Sequence, residues 1–260
     1  MIGSLERPYG IKVINFSTRI IARLDLKESY LIKGIYFEGL KKIGDPIVTS
    51  KKYYEQGVDE IICIDVVASL FERKICFDTI KKISQNCFLP LTVGGGLNNY
   101  EDVEKCFLNG CDKVSINSAF FKEKSFIKKI VNNLGSQALQ GSIQSKKIDD
   151  KFYAFYEAGR ENSHVEVTDH ILKLQDQGVG EIVITSVDKD GTLSGMDWKI
   201  LDKIKNILTV PLIFGGGFSS TKDLEKFMGY DFVSGVSIAS AFHNKKVSVK
   251  SLQKIRVLDK

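Results

Sequence analysis

The sequence is short of the residues from which metal centres, disulfide frameworks and membrane anchors are made. Its three histidines have no metal-ligand spacing with another ligand type, so no metal is expected. Its five cysteines, Cys63, Cys76, Cys87, Cys106 and Cys111, form no C-x-x-C pair. Reduced thiols in a cytoplasmic chain fit that pattern, and Cys63 lies inside an apolar run where packing explains it. No apolar run approaches the roughly 18 residues of a membrane span, and the first residues carry no signal-peptide pattern. Charge of one sign is never concentrated either. The net charge of +5 is spread as short lysine pairs such as Lys41-Lys42, Lys81-Lys82 and Lys245-Lys246, the pattern of solvated helix faces rather than of a nucleic-acid footprint. Neither nucleic acid, membrane nor cofactor is expected.

What the chain does have is a repeated glycine turn. Leu91-Thr92-Val93-Gly94-Gly95-Gly96 has a twin in Leu212-Ile213-Phe214-Gly215-Gly216-Gly217, 121 residues on. Each copy is an apolar run that ends in three glycines and opens a helix. Asn98 or Asn99 can cap the first helix, and Ser219, Ser220 or Thr221 the second. Glu55-Gln56-Gly57-Val58-Asp59-Glu60-Ile61 and Asp102-Val103-Glu104-Lys105 recur at the same offset, and Ser118-Ala119-Phe120 has a later echo in Ser240-Ala241-Phe242.

Apolar runs that read as strands occur at 19–25, 60–66, 90–94, 112–117, 138–144, 181–187, 211–215 and 232–238. Amphipathic stretches such as Pro46–Gln56, Tyr100–Leu108 and Val167–Gln177 lie between them. Short β-branched runs alternating with helices imply a parallel sheet covered on both faces. Eight such units with an internal duplication predict an α/β fold, a closed (β/α)8 TIM barrel built from two half-barrels. It occupies residues 19–260 as one domain, with residues 1–18 as an N-terminal extension.

In such a barrel the chemistry sits at the strand C-terminal ends. Those positions hold Asp25, Asp65, Gly94–Gly96, Asn117-Ser118, Gln144, Asp188–Gly191, Gly215–Gly217 and Ala239-Ser240. A glycine turn at a helix start lets backbone N–H groups approach an anion. Gly217 with Ala239-Ser240 predicts one phosphate cradle, and Gly96 with Asn117-Ser118 a second across the mouth. A ligand with a phosphate at each end follows. The long segment from Leu26 to Asp45, carrying Lys33, is expected to act as a loop-like lid.

Arg19-Ile20-Ile21-Ala22-Arg23-Leu24-Asp25, Lys33-Gly34, Gly44-Asp45-Pro46, Asp112-Lys113-Val114-Ser115-Ile116-Asn117, Gly135-Ser136-Gln137 and Thr185–Thr192, with the first glycine turn, resemble the cyclase subunit of imidazole glycerol phosphate synthase. The resemblance runs from about Arg19 to the C-terminus. It implies an enzyme that takes ammonia from a glutaminase partner and cyclises a ribulosyl-carboxamide nucleotide. It assigns Asp25 to one of two catalytic aspartates and Lys33 to a lysine near the reacting substrate. Asp190, Gly191, Gly217, Ala239 and Ser240 fall to one phosphate, and Gly96, Asn117 and Ser118 to the other. Arg19, Glu60, Lys113 and Glu181, each starting a strand, match a charged gate at the barrel bottom, and Asp112 and Gln137 match positions near the glutaminase interface.

The pattern breaks at the end of the fifth barrel strand. Where the family has its second catalytic aspartate this chain has Gln144, and an amide cannot exchange a proton near neutral pH. Arg23 stands where the family has a small residue or a cysteine. An arginine beside Asp25 holds the carboxylate ionised and favours an anionic substrate group. These changes resemble a divergent paralogue group that delivers ammonia for an acetamidino group on a nucleotide-activated sugar in surface-sugar biosynthesis. Both readings stay open at this point.

Overall fold

The computed structural model describes residues 18–122 and 125–258, so the N-terminal extension lies, but for its last residue, outside the described residues. Strand β1 (Arg19–Lys27) runs into a hairpin of β2 (Tyr30–Ile35) and β3 (Glu38–Gly44), and α1 (Pro46–Gln56) returns the chain to β4 (Glu60–Asp65). Then come α2 (Phe77–Asn86), β5 (Leu91–Gly94), α3 (Tyr100–Leu108), β6 (Lys113–Ile116), the helical turn α4 (Ala119–Lys122) and α5 (Ser125–Leu134). Strand β7 (Leu139–Ile148) continues into an antiparallel excursion of β8 (Lys151–Tyr156) and β9 (Glu161–Glu166). The second half follows as α6 (Val167–Asp176), β10 (Glu181–Ser186), α7 (Trp198–Ile204), β11 (Leu212–Gly215), α8 (Thr221–Met228), β12 (Val233–Ile238), the helical turn α9 (Ser240–His243) and α10 (Val249–Leu258).

The eight expected runs pair in parallel in the order β1, β4, β5, β6, β7, β10, β11, β12, and β12 returns to β1. The barrel is closed. The helix boundaries follow from the local sequence. Asp45 accepts bonds from the amides of Ile47 (2.7 Å) and Val48 (3.0 Å), with Pro46 in the first turn, where its missing N–H costs nothing. Asn99 accepts from the Asp102 amide at 2.9 Å, and Ser220 with Asp223 forms a capping box.

Two expectations need correction. The segment after the first strand is not a loop: Tyr30–Ile35 and Glu38–Gly44 pair antiparallel as the β2–β3 hairpin, with Leu31 and Ile32 buried. The fifth barrel strand does not stop at 144. Phe152, Ala154 and Phe155 are buried on β8, which gives β7 an antiparallel partner, and Ser163-His164 falls in β9.

Alternation on the barrel strands produces three interior layers. On β1 the even residues Ile20, Ala22, Leu24 and Leu26 join the large core beneath the helices. Ile21 instead meets Ile62, Val183 and Ile213 inside the barrel, forming an apolar plug. Arg19 lies below that plug and Arg23 and Asp25 above it, because a strand places every second side chain on one face.

The duplication is visible in the pairing register. Thr92↔Lys113, Val93↔Val114 and Gly94↔Ser115 in the first half correspond to Ile213↔Gly235, Phe214↔Val236 and Gly215↔Ser237 in the second. The offset is 121 on one strand of each pair and 122 on the other. The extra residue is Ser234, skipped as the register passes from Leu212↔Val233 to Ile213↔Gly235, which is a β-bulge.

Candidate active site

Above the apolar plug four charged side chains fill the middle of the mouth. Asp25 Oδ1 accepts from Arg23 Nε at 2.8 Å and Oδ2 from Lys33 Nζ at 2.6 Å. Lys33 also reaches Asp190 at 2.8 Å, and Arg23 Nη1 donates to Thr185 Oγ1 at 2.8 Å. Lys33 is brought there by β2, and Asp190 by the turn after β10. All four side chains are at least nine-tenths buried. Burial alone would raise the Asp25 carboxyl, but Lys33 and Arg23 outweigh it and hold it well below the usual carboxylate range. Burial likewise opposes the charge on Arg23 and Lys33, and the carboxylates of Asp25 and Asp190 overcome it and raise both. At Asp190 burial wins, and its carboxyl is pushed up despite Lys33.

The hairpin covers this cluster. Phe37, 1 % exposed, packs with Ile32 against Val66, Val67 and Val187. Its ring lies 5.5 Å from the Arg23 guanidinium and 5.6 Å from Lys33 Nζ, within cation–π range. The Tyr36 amide donates to the Asp190 carbonyl at 2.9 Å. Tyr36 and Phe37 both hold positive φ, 57° and 60°, a conformation costly to bulky side chains. Phe37 and Thr185 are site residues that sequence reasoning did not single out. The only available signal was an aromatic pair at the tip of a charged hairpin.

On either side of the cluster lies a polar cleft. The first is bordered by Gly215–Gly217, Ala239-Ser240 and Asp190-Gly191. The second is bordered by Gly95-Gly96, Asn117-Ser118, Asp65 and Gln144. The structure thus gathers the residues expected of each cradle around its own cleft. Gly217 (φ 88°) and Gly96 (φ 69°) are required there: an added Cβ would sit 2.2 Å from the Gly195 carbonyl oxygen in one copy and 2.3 Å from that of Arg73 in the other. Each cleft has a buried serine hydroxyl at its wall, Ser237 in the first and Ser115 in the second, and neither hydroxyl has a partner among the described residues. Asn117 Nδ2 donates to the Phe155 carbonyl at 3.2 Å, leaving its Oδ1 without a partner among those residues.

Gln144 borders the second cleft, but its Oε1 accepts from the Gly159 amide at 2.6 Å. It braces the β8–β9 turn, in which Glu157, Ala158 and Gly159 all hold positive φ. Asp65 is also engaged, gripped by both terminal nitrogens of Arg73 at 2.6 and 2.8 Å.

At the opposite end Arg19, Glu60, Lys113 and Glu181 close into a ring. Arg19 binds Glu60 at 2.6 Å and also Glu181, and Lys113 binds both glutamates at 2.8 Å. Thr92 donates to Glu60 and Gln140 to Glu181, each at 2.8 Å. Burial would raise the Glu181 carboxyl, but Lys113 and Arg19 lower it. Outside the ring Asp112 accepts from the Leu91 amide at 2.8 Å, and Gln137 donates to the Leu134 carbonyl at 3.0 Å. Both are exposed.

The profile of a family described as "Histidine biosynthesis protein" matches residues 19–248. The chain is 37 % identical over 237 residues to the imidazole glycerol phosphate synthase subunit HisF of Thermotoga sp. (strain RQ2), covering 90 % of this chain and 92 % of that protein. The HisF subunit of Natranaerobius thermophilus is 34 % identical over 235 residues, covering 90 % and 94 %. That of Hydrogenobaculum sp. (strain Y04AAS1) is 37 % identical over 236 residues, with the same shares.

Proposed function

The chain belongs to the histidine biosynthesis protein family, as a relative of the imidazole glycerol phosphate synthase cyclase subunits, and on that premise we propose that it is an ammonia-using synthase working with a glutaminase chain on a substrate that carries two phosphates. The observation that carries this reading is the placement of one buried Asp25–Lys33 pair between two repeat-related glycine cradles. In each cradle, backbone N–H groups of the glycine turn and of the following helical turn receive a phosphate. Gly96, Asn117 and Ser118 serve one end of the ligand, and Asp190, Gly191, Gly217, Ala239 and Ser240 the other. The reacting centre then lies over Asp25 and Lys33, and the Phe37 hairpin excludes water from it. Lys33 holds the proton that Asp25 lacks, so transfer to substrate runs from the ammonium, with Asp25 as the anion that keeps it in place.

Ammonia enters this reading from the opposite end. The ring of Arg19, Glu60, Lys113 and Glu181 is the gate, the barrel interior past Ile21, Ile62, Val183 and Ile213 is the path, and Asp112 and Gln137 face the glutaminase.

A second reading is favoured by Gln144. Its oxygen is committed to the Gly159 amide and the amide does not titrate, so the second acid–base group of the cyclase reaction is missing. Such a loss costs roughly 10²–10⁴ in rate. A paralogue that passes ammonia to another acceptor, such as a nucleotide-activated sugar receiving an acetamidino group, dispenses with that carboxylate while keeping gate and cradles. One assay separates the two: purified protein, an ammonium salt at high pH, and the ribulosyl-carboxamide nucleotide. Turnover at the rate of the HisF relatives establishes the cyclase. Absence of turnover, restored by Gln144→Asp, names position 144 as the cause and leaves the paralogue reading standing.

A further inference from the structure

Arg23 has more donors than its protein partners use. The residue is 6 % exposed, and a guanidinium carries five N–H donors. One goes to Asp25 from Nε and one to Thr185 from Nη1, while Nη2 donates to no atom among the described residues. The remaining N–H groups are therefore free to bind something the protein does not supply. Their position says what. Arg23 is the residue that borders both clefts together, beside Thr185 and Ser237 in one and beside Ser115 and Gln144 in the other. The two serine hydroxyls are 3–4 % exposed and unpartnered among the described residues. Unused hydrogen-bonding capacity therefore lines both clefts, and Arg23 stands between them.

A cationic group that only donates calls for an acceptor, and its surroundings set the sign. Arg23 and Lys33 offset Asp25 and Asp190 within the cluster. Gln144 adds no charge on the wall of the second cleft, whereas an aspartate at 144 would repel an anion from the floor. We infer that Arg23 is a specificity-determining residue that receives an oxyanion, a carboxylate or phosphoryl group, carried by the middle of the ligand between its two terminal phosphates. The inference rests on the reading of the two clefts as phosphate cradles. A guanidinium suits this task because its planar donors match carboxylate and phosphoryl oxygens alike. The Phe37 ring over Arg23 keeps water from competing. Asp190, whose carboxyl burial already pushes up, can take a proton to balance the incoming charge.

Anomalous diffraction tests this with wild-type protein. Crystals are soaked in selenate, a tetrahedral stand-in for phosphoryl groups, and separately in dichloroacetate, a carboxylate with scattering chlorines. Selenate is expected in both cradles, and one of the two probes within hydrogen-bond distance of Arg23 Nη2. Selenate there identifies a phosphoryl group, dichloroacetate a carboxylate. In Arg23→Met the central peak disappears while the cradle peaks remain, and in solution that probe binds about ten- to a hundredfold more weakly. Arg23→Lys keeps the charge and retains weakened central binding. Filled cradles with neither probe at Nη2, or a central peak that survives Arg23→Met, overturn the assignment of Arg23 alone. Cradles that stay empty of selenate overturn the two-phosphate reading itself. If Arg23→Met does not fold, the wild-type soaks and Arg23→Lys decide the matter.

Discussion

Asp25 is the residue on which the mouth of the barrel turns, since it is held by two cations and is 1 % exposed. Its lowered pKa fixes the sign of its pH dependence. The stabilisation it gives is fully present above its unfolded value of about 3.9 and is lost as pH falls through the still lower folded value. Asp25→Asn leaves Arg23 and Lys33 buried with half their partners, and removal of one member of a buried ion pair costs about 3–5 kcal/mol. Urea unfolding at pH 7 is expected to show that loss, and the gap between variant and wild type is expected to narrow only below about pH 4. Position 144 gives a second expectation. Gln144→Glu preserves an oxygen at the reach that accepts from Gly159, so its stability stays within about 1 kcal/mol of wild type, whereas Gln144→Ala releases the strained turn and costs about 1–3 kcal/mol. At this scale the sequence brought Asp25 and Gln144 to the barrel mouth through the strand pattern, and Arg23 through its spacing of two from Asp25 on one strand. It did not show that the oxygen of Gln144 is already engaged or that Phe37 lies over Arg23. Both depend on segments 157–160 and 30–44 folding back across the mouth, and no local pattern encodes contacts between segments so far apart.

Among the elements, the helices owe their start points to short signals that were readable and the hairpin owes its docking to one that was not. Asp45 satisfies two amides at the start of α1, so Asp45→Ala is expected to cost about 1 kcal/mol in thermal or denaturant unfolding. The β2–β3 hairpin is fastened by the Phe37 and Ile32 side chains, the Lys33 ion pairs and a backbone bond from Tyr36. Phe37→Ala removes the largest apolar anchor. Hydrogen exchange is expected to quicken over 30–44 while β1 and β4 keep their protection, because the hairpin lies outside the closed barrel. The hairpin read as a loop because its residues alternate weakly and most of β3 is exposed, so burial gives almost no periodic signal there. The excursion β8–β9 was missed for a related reason: β7 is buried on both sides of residue 144, and nothing in the run marks where the barrel strand ends and the antiparallel extension begins.

For the whole molecule, the barrel separates two charged layers with an apolar one, and each layer can be tested apart from the other. Arg19→Met opens the bottom ring without touching the mouth. On the proposed function, glutamine-dependent turnover with the partner chain falls while turnover with added ammonium salt is kept, and parallel assays of the two nitrogen sources check this. The closed topology was the most legible feature of all, since a fixed offset through two glycine turns and a helix–strand junction left little room for an open sheet. The extra residue at Ser234 is where that symmetry fails, and its hydroxyl and carbonyl both hold Arg19, at 3.2 and 3.3 Å. In the first half the equivalent stretch is unbulged and supplies Lys113 to the ring, paired where Gly235 pairs in the second. The two copies therefore divide labour at the ring: one supplies a cation and the other holds its neighbour's. One residue of difference in length between the halves separates a strand end that contributes charge from one that fixes where charge points.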